Sequence, residues 1–374
     1  MKRFFTKTTA IVCLLGFSAV ASFAGNKDRT GQSGATELLI NPWARSTGVF
    51  GLNTAHVTGL DAIKTNIAGL AFVKNTEVGL SRSEILSGSG VGVNNAAIAQ
   101  NINNFGVLSL NIMSVSFGEI TRTDWNYPEG GIGTYKPQFL NISLGFAKKF
   151  SESIYAGIAG TFVSEQISNI NASGAAFEAG VQYVTGKRDN FHFGVTLRNV
   201  GTNMRFNGSG FAVESPMPDA SDPSSRMSLR VPTEKFEMPT YLNFGVSYDF
   251  YLDENRLQSD DDKPKHRATP MFSFTSNSFL NDYYGVGVEY AYKEMFMLRG
   301  AYRYEKDINN AAAPSTFYTG LSVGATIQTS LGKSGPILGL DYSYRSTQRP
   351  ANGVHVVTLR LMTRAREKDN DNVE

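Results

Sequence analysis

Along most of this chain, apolar and polar residues alternate one by one. In TYLNFGVSYDFYL, Leu242, Phe244, Val246, Tyr248 and Phe250 share one side of an extended backbone, and Asn243, Gly245, Ser247 and Asp249 share the other. NFHFGVTLRNVG sets Phe191, Phe193, Val195 and Leu197 against His192, Gly194, Thr196 and Arg198, and DYYGVGVEYAY and GPILGLDYSYR repeat the pattern. Successive side chains of a strand point to opposite faces, so each stretch predicts a strand with one apolar and one polar face. Many run 11 to 15 residues, with Tyr and Phe gathered towards their ends. Globular strands average about half that length. The pattern predicts an all-β fold, a transmembrane antiparallel β-barrel whose apolar side faces lipid.

The alternation marks about fourteen strands, at 76–86, 94–103, 105–122, 137–150, 154–169, 175–187, 190–206, 240–252, 266–279, 282–292, 296–306, 317–330, 335–347 and 353–363. An even count suits a single-chain bacterial barrel. With the N-terminus in the periplasm, the even-numbered turns are short ("NN", "SES", "GKRDN", "KEM", "LGKSG"), while 123–136 and 207–239 are long and face outside. The charged stretch 253–266 breaks this rule: either the strand count slips there or the turn has a partner.

Composition adds a leader. Lys2, Arg3 and Lys7 precede an apolar run from Ala10 to Val20, and Ser22 and Ala24 stand where a signal peptidase reads. Residues 1–24 are expected to be a signal peptide, 25–75 an N-terminal hatch, 76–363 the barrel, and 364–374 a charged periplasmic tail. The one cysteine, Cys13, falls in the leader, so the mature chain has no thiol chemistry. Loss of the leader leaves a formal charge of about −1, with no basic excess to hold nucleic acid. No later stretch is long and apolar enough for a membrane helix. The expected location is the outer membrane, in contact with its lipid and lipopolysaccharide.

The inward faces carry Glu165, Glu178, Arg198, Asp249, Glu289, Arg299, Arg303, Asp341, Arg345 and Arg360. Mixed signs suit either a channel lining or a plugged, hydrogen-bonded lumen. Inward glycines permit close approach of a backbone or ligand, or relieve curvature. The segment left to form a plug is 25–75. Within it, Ser33–Ile40 is expected to form a short turn at the periplasmic mouth, ended by Pro42. Trp43 then anchors apolar surface, and Arg45 meets an inward acid such as Glu178 or Glu289. Gly48 and Gly51 let the chain pass close to the wall.

Some motifs resemble chemistry without its context. GLSVG around Ser322 lies inside an uninterrupted strand pattern, whereas a nucleophile elbow needs a sharp strand-to-helix turn. GKS at 332–334 lacks the partner glycine and following helix of a phosphate loop. His56, His192, His266 and His355 show no metal-ligand spacing. His355 and Ser346 near a strand rim leave a surface-lipid acyl hydrolase as a third, remote reading. No catalytic residue, metal or cofactor is expected.

SGATELLINPWARSTGVFGLNTAH (33–56) resembles the N-terminal signature of the PorV/PorQ family, in which an apolar run leads to a proline, an Ala-Arg pair and a glycine-punctuated segment. VSFGEITRTD (115–124) and GVTLRNVG (194–201) are similar to further motifs of that family. The resemblance implies a FadL-like barrel of fourteen strands with a short hatch, serving type IX protein secretion in Gram-negative bacteria. Members of the PorV kind bind the C-terminal signal domains of secreted proteins and cap a large translocon barrel; those of the PorQ kind act in the attachment complex downstream. Two departures concern the branch: KTNIAGLAF (64–72) replaces the family's Trp-Asn-Pro-Ala element, and the C-terminus is a charged tail without a terminal aromatic. The leading expectation is a non-enzymatic component that binds cargo or translocon, partly through the loop 207–239. The alternative is a FadL-like transporter of hydrophobic small molecules.

Overall fold

The computed structural model describes residues 29–363 apart from 87, 219–221, 223, 254–263, 311–315, 333–334 and 350. The expected leader and tail, most of 253–266, part of 207–239 and Lys333–Ser334 lie outside the described residues. Fourteen strands form the wall. β1 to β5 are Thr76–Leu86, Val91–Asn101, Val107–Ser116, Gln138–Lys149 and Ile154–Ile167. β6 to β10 are Ile170–Thr185, Phe191–Gly201, Tyr241–Tyr248, His266–Asn277 and Tyr283–Tyr292. β11 to β14 are Phe296–Glu305, Tyr318–Ser330, Ile337–Thr347 and Val354–Met362.

Each strand pairs antiparallel with its neighbours in sequence. β14 returns to β1, from Glu77 opposite Met362 to Glu84 opposite His355, and closes the barrel. Closure removes the free edge that an open sheet would expose, which a hydrocarbon environment does not tolerate. The expected strand 105–122 stops at Ser116, and the one expected to start at 175 begins at Ile170. The strand expected over 240–252 breaks at Asp249, whose N–H donates to the Asn190 carbonyl at 2.8 Å, and resumes as Phe250–Tyr251 beside β9. Outward side chains such as Leu80, Leu144, Ile158, Phe177, Val286 and Leu298 are exposed, while the polar residues alternating with them are buried. A wall apolar outside and polar inside is the arrangement of a membrane-spanning barrel.

The hatch fills the lumen as a string of short helical turns: Thr36–Leu39, Ala44–Thr47, Leu52–Ala55, Gly59–Lys64 and Ile67–Phe72. Pro42, Gly48, Gly51 and Gly59 punctuate the string and keep any helix from extending. Trp43, Leu60, Ile63, Ile67 and Leu70 are fully buried and pack against Ala97, Ala99, Val107, Ala147 and Ala159 of the wall. Small wall residues facing large hatch residues make one interdigitated core.

The direction of the hatch differs from the expectation. Ser33–Ile40 does not lie at the short-turn mouth, the one expected to be periplasmic. Ser33 bridges Glu237 in the long β7–β8 connection, and the Gly34 N–H donates to the Glu237 carbonyl at 3.0 Å. Arg29 pairs with the Glu237 carboxylate at 2.6 Å and lies 4.2 Å over the Phe279 ring of the β9–β10 connection. The cause is apolar burial: Ala35 and Leu38 pack with Val163, Ala172, Met204 and Met238, which cluster at the long-connection end. The chain therefore runs down the lumen from that end and enters β1 at the other.

Candidate functional site: the hatch and the lumen wall

The inward charges join into a girdle that crosses seven consecutive strands. Arg267 (β9) donates to Glu289 (β10) at 2.9 Å, and Arg299 (β11) donates to the other Glu289 oxygen at 2.9 Å. Arg299 also donates to Thr326 (β12) at 2.8 Å, and Thr326 donates to Asp341 (β13). Arg360 (β14) holds Asp341 through two bonds of 2.6 and 3.0 Å and reaches Glu77 (β1) at 3.8 Å. Asp249 continues the girdle beyond Arg267, accepting from Thr269 and lying 3.2 Å from His192. Strand register places these partners: Glu289 stands opposite Arg299, and Thr326 opposite Asp341. Buried charges of alternating sign satisfy one another where water is excluded.

The hatch rests on this girdle. The Pro42 carbonyl accepts from Ser81 of β1, and the Ala44 N–H donates to Thr358 of β14 at 3.0 Å. The Trp43 ring lies against Gly79, where an added Cβ would meet it at 2.9 Å. Arg45 stands 4.0 Å from Glu289, whereas Glu178 is taken by another partner. A Cβ on Gly48 would meet Arg299 Cδ and Gly324 Cα at 3.1 Å each, so this glycine permits the close pass. Gly51 does not: nothing lies within 4 Å, and its requirement is a left-handed φ of +73°. Thr47 shares a 2.6 Å hydrogen bond with Ser343, and Ser322 of the GLSVG stretch donates to the Gly48 carbonyl at 3.1 Å.

On the far side of the lumen, Arg198 and Glu178 form a two-pronged pair at 2.9 and 3.1 Å. A bulge produces it. Ala179 pairs with Leu197 and Phe177 with Val200, leaving Glu178 opposite both Arg198 and Asn199, the latter at φ +58°. Arg198 also donates to the Lys64 carbonyl. Next to it, Asn66 caps the last hatch turn by accepting from the Ala68 N–H at 3.2 Å, while its amide donates to the Thr54 and Val181 carbonyls at 3.0 and 3.1 Å. Outside the same stretch of wall lies an apolar groove of about 760 Å³, lined by Leu144, Ile158, Phe177, Leu197 and Val200.

At the long-connection end, Phe50 of the hatch lies 5.0 Å from the Arg303 guanidinium and 5.9 Å from that of Arg345. Tyr318 packs edge-on against Phe50 and lies 4.8 Å beneath Arg345. Arg303 pairs with Glu305 at 3.2 Å. These arginines, with Arg198, Lys64 and Tyr241, line a polar chamber of about 70 Å³. Glu165 is buried in β5, close enough for its charge to act on Glu37 of the hatch.

Burial shifts the titratable hatch groups. It pushes Glu37 up to about 8, with the charge of Glu165 adding to the effect. It lowers Lys64 to about 8 against the pull of Glu178, lowers His56 to about 4, and raises Asp61 in spite of nearby Arg360. Removal from water disfavours the charged form of each.

Sequence reading placed ten charges inward, and all ten line the lumen side. It missed Arg267 and Glu77, which sit at strand entrances where the apolar alternation is cut short, and the neutral Thr326. It also passed over Glu37, Asp61 and Lys64, buried in turns that have no period. His355 is on the outward face of β14, with Nδ1 2.8 Å from the Tyr342 hydroxyl.

No family model and no curated protein matches the sequence. Solved structures do match in fold. The CymD monoaromatic hydrocarbon channel is similar at TM-score 0.50 and 11% identity, over 88% of this chain and 99% of that one. The toluene transporter TbuX of Ralstonia pickettii gives 0.48 at 11% identity, over 82% and 94%. A FadL homologue of Pseudomonas aeruginosa gives 0.47 at 12%, over 86% and 97%. The likeness is one of fold, and in this chain that fold is a closed antiparallel barrel of fourteen strands.

Proposed function

We propose that the chain is an outer-membrane barrel that passes a small apolar molecule from the long-connection side, past its hatch, and out through the wall beside the β6–β7 bulge. The observation that carries this reading is a coincidence of three features at one place. The bulge interrupts the pairing of the wall, the hatch turn at Lys64–Asn66 lies directly inside it, and the apolar groove of about 760 Å³ lies directly outside. An apolar solute leaving there enters hydrocarbon without crossing water. The same fold serves as a hydrocarbon channel in CymD.

The test uses the absence of cysteine beyond the leader. Thr47→Cys with Ser343→Cys, whose wild-type hydroxyls are 2.6 Å apart, should tie the hatch to β13 by a disulfide. Cells producing the wild-type barrel should take up radiolabelled toluene faster than vector controls; the oxidised double variant should not, and reduction should restore uptake. Uptake that never exceeds the control, or that ignores the cross-link, rejects the reading.

A second reading, a type IX secretion component that binds cargo or translocon, draws on the resemblance of residues 33–56 to the PorV/PorQ signature. It also draws on apolar side chains left in solvent on the long connections, Trp125 at 101% exposure and the cross-strand pair Val213–Leu229. Affinity purification in detergent separates the two. A large translocon barrel or a cargo signal domain should be retained whether or not the hatch is cross-linked, and should be lost with Trp125→Ser or Val213→Ser.

A further inference from the structure

The chamber at the long-connection end holds more positive charge than its carboxylates balance. Of its four cations, Arg198 is matched by Glu178, and one arm of Arg303 by Glu305. Lys64 and Arg345 have no carboxylate within ion-pair distance among the described residues. The ammonium of Lys64 is buried at 4% exposure and has no hydrogen-bond partner; the Nε atoms of Arg303 and Arg345 have none either. Glu178 and Glu37 act on Lys64 only at longer range. A buried cation without a counter-charge is costly to keep, and Lys64 and Arg345 both belong to the lining of this one cavity.

We propose that this chamber binds one small oxyanion. Its volume of about 70 Å³ gives room for roughly five water-sized spheres, the size of a phosphate or sulfate group or of a carboxylate with its first waters. Two guanidinium groups offer the planar donor edges that suit such oxygens. The rings of Phe50, Tyr283 and Tyr318 lie 4.6 to 5.0 Å from these guanidinium groups and hold them at the lining. Thr65, Asn243 and Tyr241 add neutral polar groups to the lining. The anion would tie hatch residue Lys64 to wall residues Arg303 and Arg345. The site is independent of the transport reading: a barrel that moves no apolar solute would still bind it.

Equilibrium dialysis of the purified full chain in detergent against radiolabelled phosphate, at constant ionic strength in chloride, tests the site. One saturable site is expected, displaced by sulfate, with affinity reduced at least tenfold in Lys64→Met and in Arg345→Met. Decanoate and decanol identify the source of the oxyanion. Displacement of phosphate by decanoate but not decanol means that the acidic end of a larger molecule is also accepted; displacement by neither means that the free inorganic ion is the ligand. Absence of saturable binding of phosphate and decanoate at millimolar concentration overturns the proposal, as does binding unchanged in both variants. If either variant fails to fold, the wild-type isotherm decides alone.

Discussion

Arg198 and Glu178 face each other across a β-bulge with both side chains out of water, joined by hydrogen bonds of 2.9 and 3.1 Å. The third contact of the guanidinium, to the Lys64 carbonyl, fastens the hatch to the wall at the point where strand pairing is interrupted. Arg198→Met leaves Glu178 buried and unpaired, which should cost about 3–5 kcal/mol. Adding Glu178→Gln should return a large part of that loss. Thermal unfolding in detergent reads both, and a double variant no more stable than Arg198→Met would show that the pair is not what matters.

Arg45 and Arg299 both approach Glu289, but they should not count equally. Arg299 lies at 2.9 Å with no side-chain exposure; Arg45 lies at 4.0 Å with 18% exposed. Glu289 retains Arg299 and Arg267 when Arg45 is removed, so Arg45→Ala should lower stability by only about 1 kcal/mol or less. Arg299→Met should cost more, about 1–3 kcal/mol, because it removes buried bonds to both Glu289 and Thr326. Equal losses in the two variants would contradict the ranking.

Two hatch glycines should fail for different reasons. Gly48→Ala pushes a methyl group against Arg299 and Gly324 and should cost about 1–3 kcal/mol. Gly51→Ala meets open space but must hold φ near +73°, at about 1–2 kcal/mol. Asn tolerates that conformation, so Gly51→Asn should recover most of the loss, whereas Gly48→Asn should be worse than Gly48→Ala. Thermal midpoints of the four variants check the order.

Hatch retention should weaken on both sides of mildly acidic pH. Glu37 titrates at about 8 in the folded chain, above its ordinary 4.5, so its contribution is complete below 4.5 and is lost as pH rises through 8. His56 titrates at about 4, below its ordinary 6.5, so its contribution is complete above 6.5 and is lost as pH falls through 4. Glu37→Gln should match the wild type near pH 5 and exceed it near pH 9; His56→Gln should flatten only the acid limb. Limited proteolysis of the hatch against pH reads both. An alkaline limb unchanged by Glu37→Gln would remove that carboxyl from the account.

The wall was legible because parity is a local property. Once Phe244 and Val246 face out, Asn243 and Gly245 must face in, whatever they touch. Partners are not local. Arg299 is visibly inward, but its pairing with Glu289 depends on which strands adjoin and in what register. The hatch resists reading for another reason, since turns of four to six residues carry no period. Asn66 is the instructive case. It stands in KTNIAGLAF, a stretch without periodicity, and the structure gives that one residue a helix cap and two bonds, to Thr54 and Val181. Nothing in the sequence indicated the direction of the N-terminal arm, because the methionines that receive Leu38 come from a connection more than 160 residues away.

The Pro42–Ala44 contacts bear on assembly. The carbonyl of Pro42 is bonded to β1 and the N–H of Ala44 to β14, the two strands that meet at the closing seam. Three consecutive hatch residues thus straddle the junction between the first and last strands, with Trp43 wedged against β1 between them. The Pro-Trp-Ala step therefore belongs to the seam as much as to the plug: what holds the hatch in the lumen also joins the first strand to the last.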